Sequence, residues 1–329
     1  MNKYKIAVIG VGRMGKYHVR ILSRLKVLSA IVDVDENAGK QISLEYNDTP
    51  YYSNYRTMMK EIRPDGVILS TPTSFHFSIA KELLSSYNLK ALLIEKPLAS
   101  TIKEGELLQE IASKSSTLVS VGHIEVYNPI ITKILELHKQ GILGKIRSML
   151  IQRRGAVSDG RLESIGDVYQ DIGIHDFDIA TRFLSGSYKL SAFPIEHNGL
   201  INASTVILHN KASNIMCTFL LSREFAGKIR RIEIEGTKAT LICDLLNQTV
   251  VIRQLGIAKG DTNSISIPFG SGEMIKVYGE PLLEEILSFL DTIDGANPLV
   301  SIKDGIKGLI IVESARKSGS NGTQEMIQI

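Results

Sequence analysis

The chain has 329 residues, 43% hydrophobic and 22% charged, which suits two globular cores and excludes a disordered or fibrous protein. A formal net charge of +3, with basic clusters only at 152–155 and 228–231, argues against a nucleic-acid partner. Two cysteines, Cys217 and Cys243, cannot build a zinc site and suit a reducing compartment, and no apolar run approaches the roughly 18 residues of a membrane span.

The opening stretch MNKYKIAVIGVG has an apolar run too short for a signal-peptide core, so a cytoplasmic protein is expected. The run at 4–10 starts a series that continues at 27–33, 66–70, 91–95 and 117–122. Amphipathic segments at 13–26, 36–46, 54–62, 74–86 and 101–115 lie between these runs. Two-sided apolar strands alternating with helices predict a parallel sheet covered on both faces, a doubly wound Rossmann domain over residues 1–122.

Gly10-x-Gly12-x-x-Gly15 follows the first strand and opens the first helix. In that context Gly10 permits the tight turn, Gly12 lets backbone approach a pyrophosphate, and Gly15 lets helix and strand pack closely. Arg13 and Met14, inside the motif, join the expected cofactor site. Asp33 ends the second strand, where a carboxylate accepts ribose hydroxyls and repels a 2′-phosphate. No arginine follows closely in VDVDENAGK, so NAD is expected over NADP.

Two further strand ends point the same way, because ligands of open α/β sheets bind beyond the carboxyl ends of strands. STPTSFH at 70–76 brings Thr71, Thr73 and His76 toward the cofactor, although Thr73 or Ser74 also suits a helix cap. IEKPLAS places Glu95 and Lys96 beside the nicotinamide; the plainer alternative for Lys96 is a surface lysine ahead of a helix.

After residue 120 the pattern changes. A helix is expected near 128–140, then a second one in YQDIGIHDFDIA, 169–180. Strand-like stretches follow at 188–197, 202–210, 214–222, 229–236, 239–243 and 248–255, with a hairpin turn at 235–238. Helices at 281–293 and 302–317 close the chain, and the final dozen residues show no period. Residues 123–329 are therefore expected to form an α+β domain with a mostly antiparallel sheet, its C-terminal helix free to pack back on the first domain.

In a regular helix Asp171, His175 and Asp178 would share one face. Metal ligation, a solvated face and acid/base catalysis all suit such a stripe. No second cluster with ligand spacing completes a metal shell, so no metal is expected. Oxidising an alcohol with NAD removes a proton as well as a hydride, and histidine is the natural base.

AVIGVGRMGKYH, STPTSFH, IEKPLA and DIGIHDFD, in this order and spacing, resemble the glucose–fructose oxidoreductase/inositol dehydrogenase (Gfo/Idh/MocA) family, and the resemblance extends to GIKGLIIVESARKSG near the end. It implies an NAD-dependent dehydrogenase in which Lys96, Asp171 and His175 serve the substrate and the proton transfer. It also implies an open-faced sheet in the second domain that forms a homodimer or homotetramer. VGHIEVYNPII and IQRRG resemble nucleotide-sugar members, particularly UDP-N-acetylglucosamine 3-dehydrogenases. Glu125, Asn128 and Pro129 match their E-R-F-N-P segment, Val126 stands where arginine is frequent, and Tyr127 replaces phenylalanine. The implied substrate contacts are Lys96, Glu125, Tyr127, Asn128, Asp171 and His175. Arg153 and Arg154 suit a diphosphate, with a charged edge strand as the alternative. A free polyol dehydrogenase and a non-catalytic dinucleotide-binding regulator are the rival readings.

Overall fold

The computed structural model describes residues 4–157, 166–254 and 272–329. The chain divides into two compact units, Met1–Tyr127 with Glu280–Leu309, and Asn128–Gly279 with Ile310–Ile329.

In the first unit six strands, β1 (Ile6–Ile9), β2 (Leu28–Val32), β3 (Tyr51–Tyr52), β4 (Gly66–Leu69), β5 (Ala91–Glu95) and β6 (Leu118–Gly122), form one sheet. Its order is β3-β2-β1-β4-β5-β6 and every pairing is parallel. This is the doubly wound order, whose direction reverses between β1 and β4 and opens a crevice at the strand ends. The connecting helices are α1 (Arg13–Arg24), α2 (Glu36–Glu45), α3 (Tyr55–Ile62), α4 (His76–Ser86) and α5 (Ile102–Ser113). Asp35, Asn54 and Thr101 cap α2, α3 and α5 by accepting backbone N–H bonds, each worth about 1 kcal/mol. β1, β4 and β5 are buried along their whole length, as their unbroken apolar runs require, while β2 and β6 begin partly exposed and β3 is partly exposed throughout.

The second unit opens with α6 (Pro129–Lys139), which has Pro129 in its first turn, where a missing N–H costs nothing. Its sheet is built from β7 (Ile146–Gly155), β8 (Ser187–His197), β9 (Leu200–Asn210), β10 (Ile215–Ser222), β11 (Lys228–Gly236), β12 (Ala239–Asp244), β13 (Thr249–Gln254), β14 (Glu273–Lys276) and β15 (Glu325–Gln328). The order is β14-β13-β12-β11-β7-β10-β9-β8-β15, antiparallel except between β7 and β10. Residue 255 of the expected strand 248–255 lies outside the described residues. Between β7 and β8 runs α7 (Ile174–Thr181). One sheet face carries the core: Met149, Ile151, Phe219 and Ile232 pack with Ile131 and Ile134 of α6 and Phe177 of α7. The other face alternates with it and stays partly exposed at Leu150, Ile207, Leu220 and Glu233.

Two helices close the chain, α8 (Pro281–Ile293) and α9 (Ile302–Asn321). The expected boundary at 122 places α8 in the second domain and leaves the last helix free to pack back on the first; residues 280–309 fold with the first unit. The reason is apolar: Leu282, Ile286, Phe289 and Ile293 share a core with Ile6, Val8 and Ile31.

Candidate active site

The glycine motif fills the turn from β1 into α1. Gly10 has φ +91°, and a Cβ there would stand 2.6 Å from the Ser70 carbonyl oxygen. A Cβ on Gly15 would stand 2.0 Å from the Gly10 carbonyl oxygen. Gly12, the N-cap of α1, has nothing within 4 Å of where its Cβ would lie. Packing thus demands two of the glycines, and the third leaves backbone open at a helix N-terminus, where N–H groups attract an anion.

A cavity of about 610 Å³ lies at this turn, lined by Gly10, Gly12, Arg13, Met14 and Asp33, with apolar walls from Val34, Phe75 and Ile79. Asp33 is held in place: its Oδ2 accepts from the Val11 N–H at 2.7 Å and its Oδ1 from the Asp35 N–H at 2.9 Å. A carboxylate has about four acceptor sites, so ribose hydroxyls can still bind. Thr71, Glu95 and Lys96 line the same cavity. The buried Thr71 Oγ1 has no hydrogen-bond partner among the described residues, an orphan that a bound polar group would satisfy. Together the open glycine, the anchored carboxylate and this hydroxyl fit a dinucleotide.

Two expected cofactor contacts do something else. Thr73 begins a 3₁₀ turn, Thr73–Phe75, and is not among the residues lining the cavity. Neither that turn nor α4 has a side-chain cap, so the capping alternative for Thr73 and Ser74 also fails. His76 is buried, with Nδ1 2.9 Å from the Pro97 carbonyl and Nε2 2.8 Å from the Thr71 carbonyl. Burial pushes its imidazole below the ordinary value; a neutral ring has one N–H and donates to one of the two carbonyls, packing between the segments that follow β4 and β5. It supports the cavity from behind.

Sequence reading missed His18. It sits on the buried side of α1 with Gly15, Val19 and Leu22, and its Nε2 lies 2.6 Å from Glu95 Oε1. Glu95 Oε2 accepts from the Lys96 N–H at 3.2 Å. A polar residue on the apolar face of an amphipathic helix was the available signal.

In the second unit YQDIGIHDFDIA is not one regular helix. Tyr169–Gly173 forms a π-helical turn, and α7 continues from it. The wider turn alters the angular spacing between Asp171, inside it, and His175, just after it. Asp178 is buried against Arg182 at 3.2 Å, while Asp171 and His175 stay partly exposed. Arg223, also missed, lies fully buried just beyond β10 with an Nη1 3.6 Å from Asp171 Oδ2. Its Nη1 also donates to the Gly166 carbonyl and its Nη2 to Asn202 Oδ1, each at 2.7 Å. The signal was a charge directly after the apolar run of β10.

The paired-arginine reading is corrected. β7 is interior to the sheet, not an edge, and successive residues point to opposite faces. Arg153 is 4% exposed and its Nε donates to Asp176 Oδ1 at 2.8 Å, so its charge is committed inside the unit. Arg154 stacks over Phe225 at 4.4 Å and is half-buried. The expected contact Asn128 is corrected too: it is buried and caps α6 by accepting from the Ile130 N–H at 3.1 Å. Tyr127 is buried and Glu125 partly exposed, both on the 3₁₀ turn Ile124–Tyr127.

Residues 4–123 match the model of an oxidoreductase family with an NAD-binding Rossmann fold, Gfo/Idh/MocA. Residues 4–123 thus carry the NAD-binding domain of that family. It is an NAD-binding oxidoreductase. The chain is 25% identical over 328 residues to the myo-inositol 2-dehydrogenase of Thermotoga maritima, covering 95% of this chain and 96% of the relative. It is 24% identical over 324 residues to the UDP-N-acetylglucosamine 3-dehydrogenase of Acidithiobacillus ferrooxidans, covering 96% of each. A solved structure of the UDP-N-acetylglucosamine 3-dehydrogenase from Acidithiobacillus ferrooxidans superposes with a TM-score of 0.84 at 21% identity, covering 96% of this chain and 97% of that one. At that identity the likeness speaks for the fold. Among the described residues no helix is long and apolar enough to cross a membrane.

Proposed function

We propose that this chain is a Gfo/Idh/MocA member that oxidises a secondary hydroxyl of a sugar to a ketone, and that its substrate is a UDP-linked N-acetylhexosamine oxidised at carbon 3. NAD, when bound, supplies the hydride acceptor. Lys96 lines the cofactor cavity and polarises the hydroxyl with its ammonium group. His175 accepts the hydroxyl proton, the task of an imidazole base. Asp171, beside Arg223, orients the substrate or the imidazole.

The observation that carries the substrate is the similarity to a UDP-N-acetylglucosamine 3-dehydrogenase across 96% of both chains. Glu125, Asn128 and Pro129 support it as sequence matches, and Arg154 remains as a candidate for the diphosphate. A free polyol is the second reading, favoured by similarity of the same extent to a myo-inositol 2-dehydrogenase. Initial rates of NAD reduction with UDP-N-acetylglucosamine, UDP-N-acetylgalactosamine, myo-inositol and glucose separate the two. Turnover of a UDP-sugar alone supports the first, and turnover of myo-inositol alone replaces it with the second. The partly exposed face of the nine-stranded sheet supports assembly of a homodimer or homotetramer through that face.

A further inference from the structure

α8 has an unexpected residue on its buried face. Leu282, Ile286, Phe289 and Ile293 bury apolar side chains there, and Glu285 beside them is 1% exposed. Neither of its carboxyl oxygens has a hydrogen-bond partner among the described residues. Charged groups lie close by, however. A ligating atom each from Glu285, Glu95 and His18 all fall within 4.8 Å of one another, and all three side chains are buried. These residues come from α8, β5 and α1 of the first unit. Among the described residues no fourth His, Cys, Asp or Glu completes the group, and no lysine or arginine hydrogen-bonds to Glu285.

Two carboxylates this close, away from water, cannot both ionise. The surroundings decide which keeps the proton. Glu95 lies 2.6 Å from His18 Nε2 and accepts the Lys96 N–H at 3.2 Å. Among the described residues Glu285 receives no such donor.

We propose that Glu285 is a buried neutral acid whose proton keeps Glu95 the only anion of the cluster, and so keeps Glu95 and the Lys96 backbone in their cofactor-facing arrangement. Burial first, then the charge of Glu95, holds the Glu285 carboxyl well above the usual carboxylate range. Glu285 is thus a positioning residue that acts through Glu95. The inference does not depend on which sugar is oxidised.

The sign of the linkage is defined. A carboxyl whose value rises on folding binds its proton more tightly in the folded chain. Its stabilising effect is complete below the unfolded value, about 4.3, and is lost as pH rises through the folded value. Within that window one proton changes the folding equilibrium by about tenfold per pH unit.

Three measurements on the full-length protein test this. Infrared spectra of glutamate-labelled protein at pH 7 should show the carbonyl stretch of a protonated carboxylic acid, and Glu285→Gln should lack it. Absence of that band in the unmodified protein, which needs no variant to fold, overturns the proposal. In denaturant titrations from pH 5 upward, the folding constant of Glu285→Gln relative to the unmodified protein should grow by up to about tenfold per pH unit. A ratio independent of pH overturns it. NADH affinity of the unmodified protein should stay level while the band persists and weaken as the band disappears, a step missing in Glu285→Gln. Affinity that does not follow the band removes the positioning role. A divalent ion that copurifies stoichiometrically and is lost in Glu285→Gln would replace the proton by a metal and overturn the proposal as well.

Discussion

Asp33 links one side chain to cofactor choice. Its two backbone contacts fix the carboxylate at the cavity, and the role proposed for it there is to accept ribose hydroxyls and repel an added phosphate. NADH should therefore bind more tightly than NADPH, and Asp33→Ser should narrow the gap in a fluorescence titration. Tighter NADPH binding by the unmodified chain would refute this. The two arginines of β7 should behave differently from one another. Arg153→Ala leaves Asp176 buried without its arginine and should cost about 3–5 kcal/mol in denaturant unfolding. Arg154→Ala should unfold nearly as the unmodified chain and raise KM for the UDP-sugar more than it lowers kcat, the mark of lost uniform binding. An unchanged KM would place the diphosphate elsewhere.

Elements differ in how far the chain alone reveals them. The β–α alternation of the first unit was legible because five of its strands are short apolar runs bounded by turns, and α2, α3 and α5 carry their own caps; β3, only Tyr51–Tyr52, was not. The glycine turn and Glu95-Lys96 were legible because their chemistry lies in contiguous residues. The π-helical turn at Tyr169–Gly173, which holds Asp171, was not foreseen, since nothing local distinguishes it from a regular helix. β7 misled because Arg153 is charged, and only its partner Asp176 makes an interior position tolerable. β14 and β15 are too short to show a period and are defined by the strands they pair with. His18, Glu285 and Arg223 escaped for the same reason: each is meaningful only beside a partner far away in sequence. Asn128 shows the opposite error, a motif match whose side chain ends a helix. Asn128→Ala should cost about 1 kcal/mol of stability, as for other lost caps. A KM effect without loss of stability would restore its expected place in the substrate site.

For the whole molecule, assembly and activity carry the account. In the proposed assembly the sheet face bearing Leu150, Ile207 and Leu220 meets the same face of a second copy, an isologous contact. Light scattering should give a multiple of the chain mass, and Leu220→Lys should lower it; a monomer at micromolar concentration would contradict that. Activity is tested most directly by comparing steady-state NAD reduction, on the preferred sugar, in the unmodified chain and in His175→Asn. The substitution keeps a polar side chain on α7 and removes the base, while Gly10, Gly12, Gly15 and Asp33 are untouched. The account predicts a fall in kcat of about 10²–10⁴ with near-normal NADH binding. Full turnover by His175→Asn would contradict it.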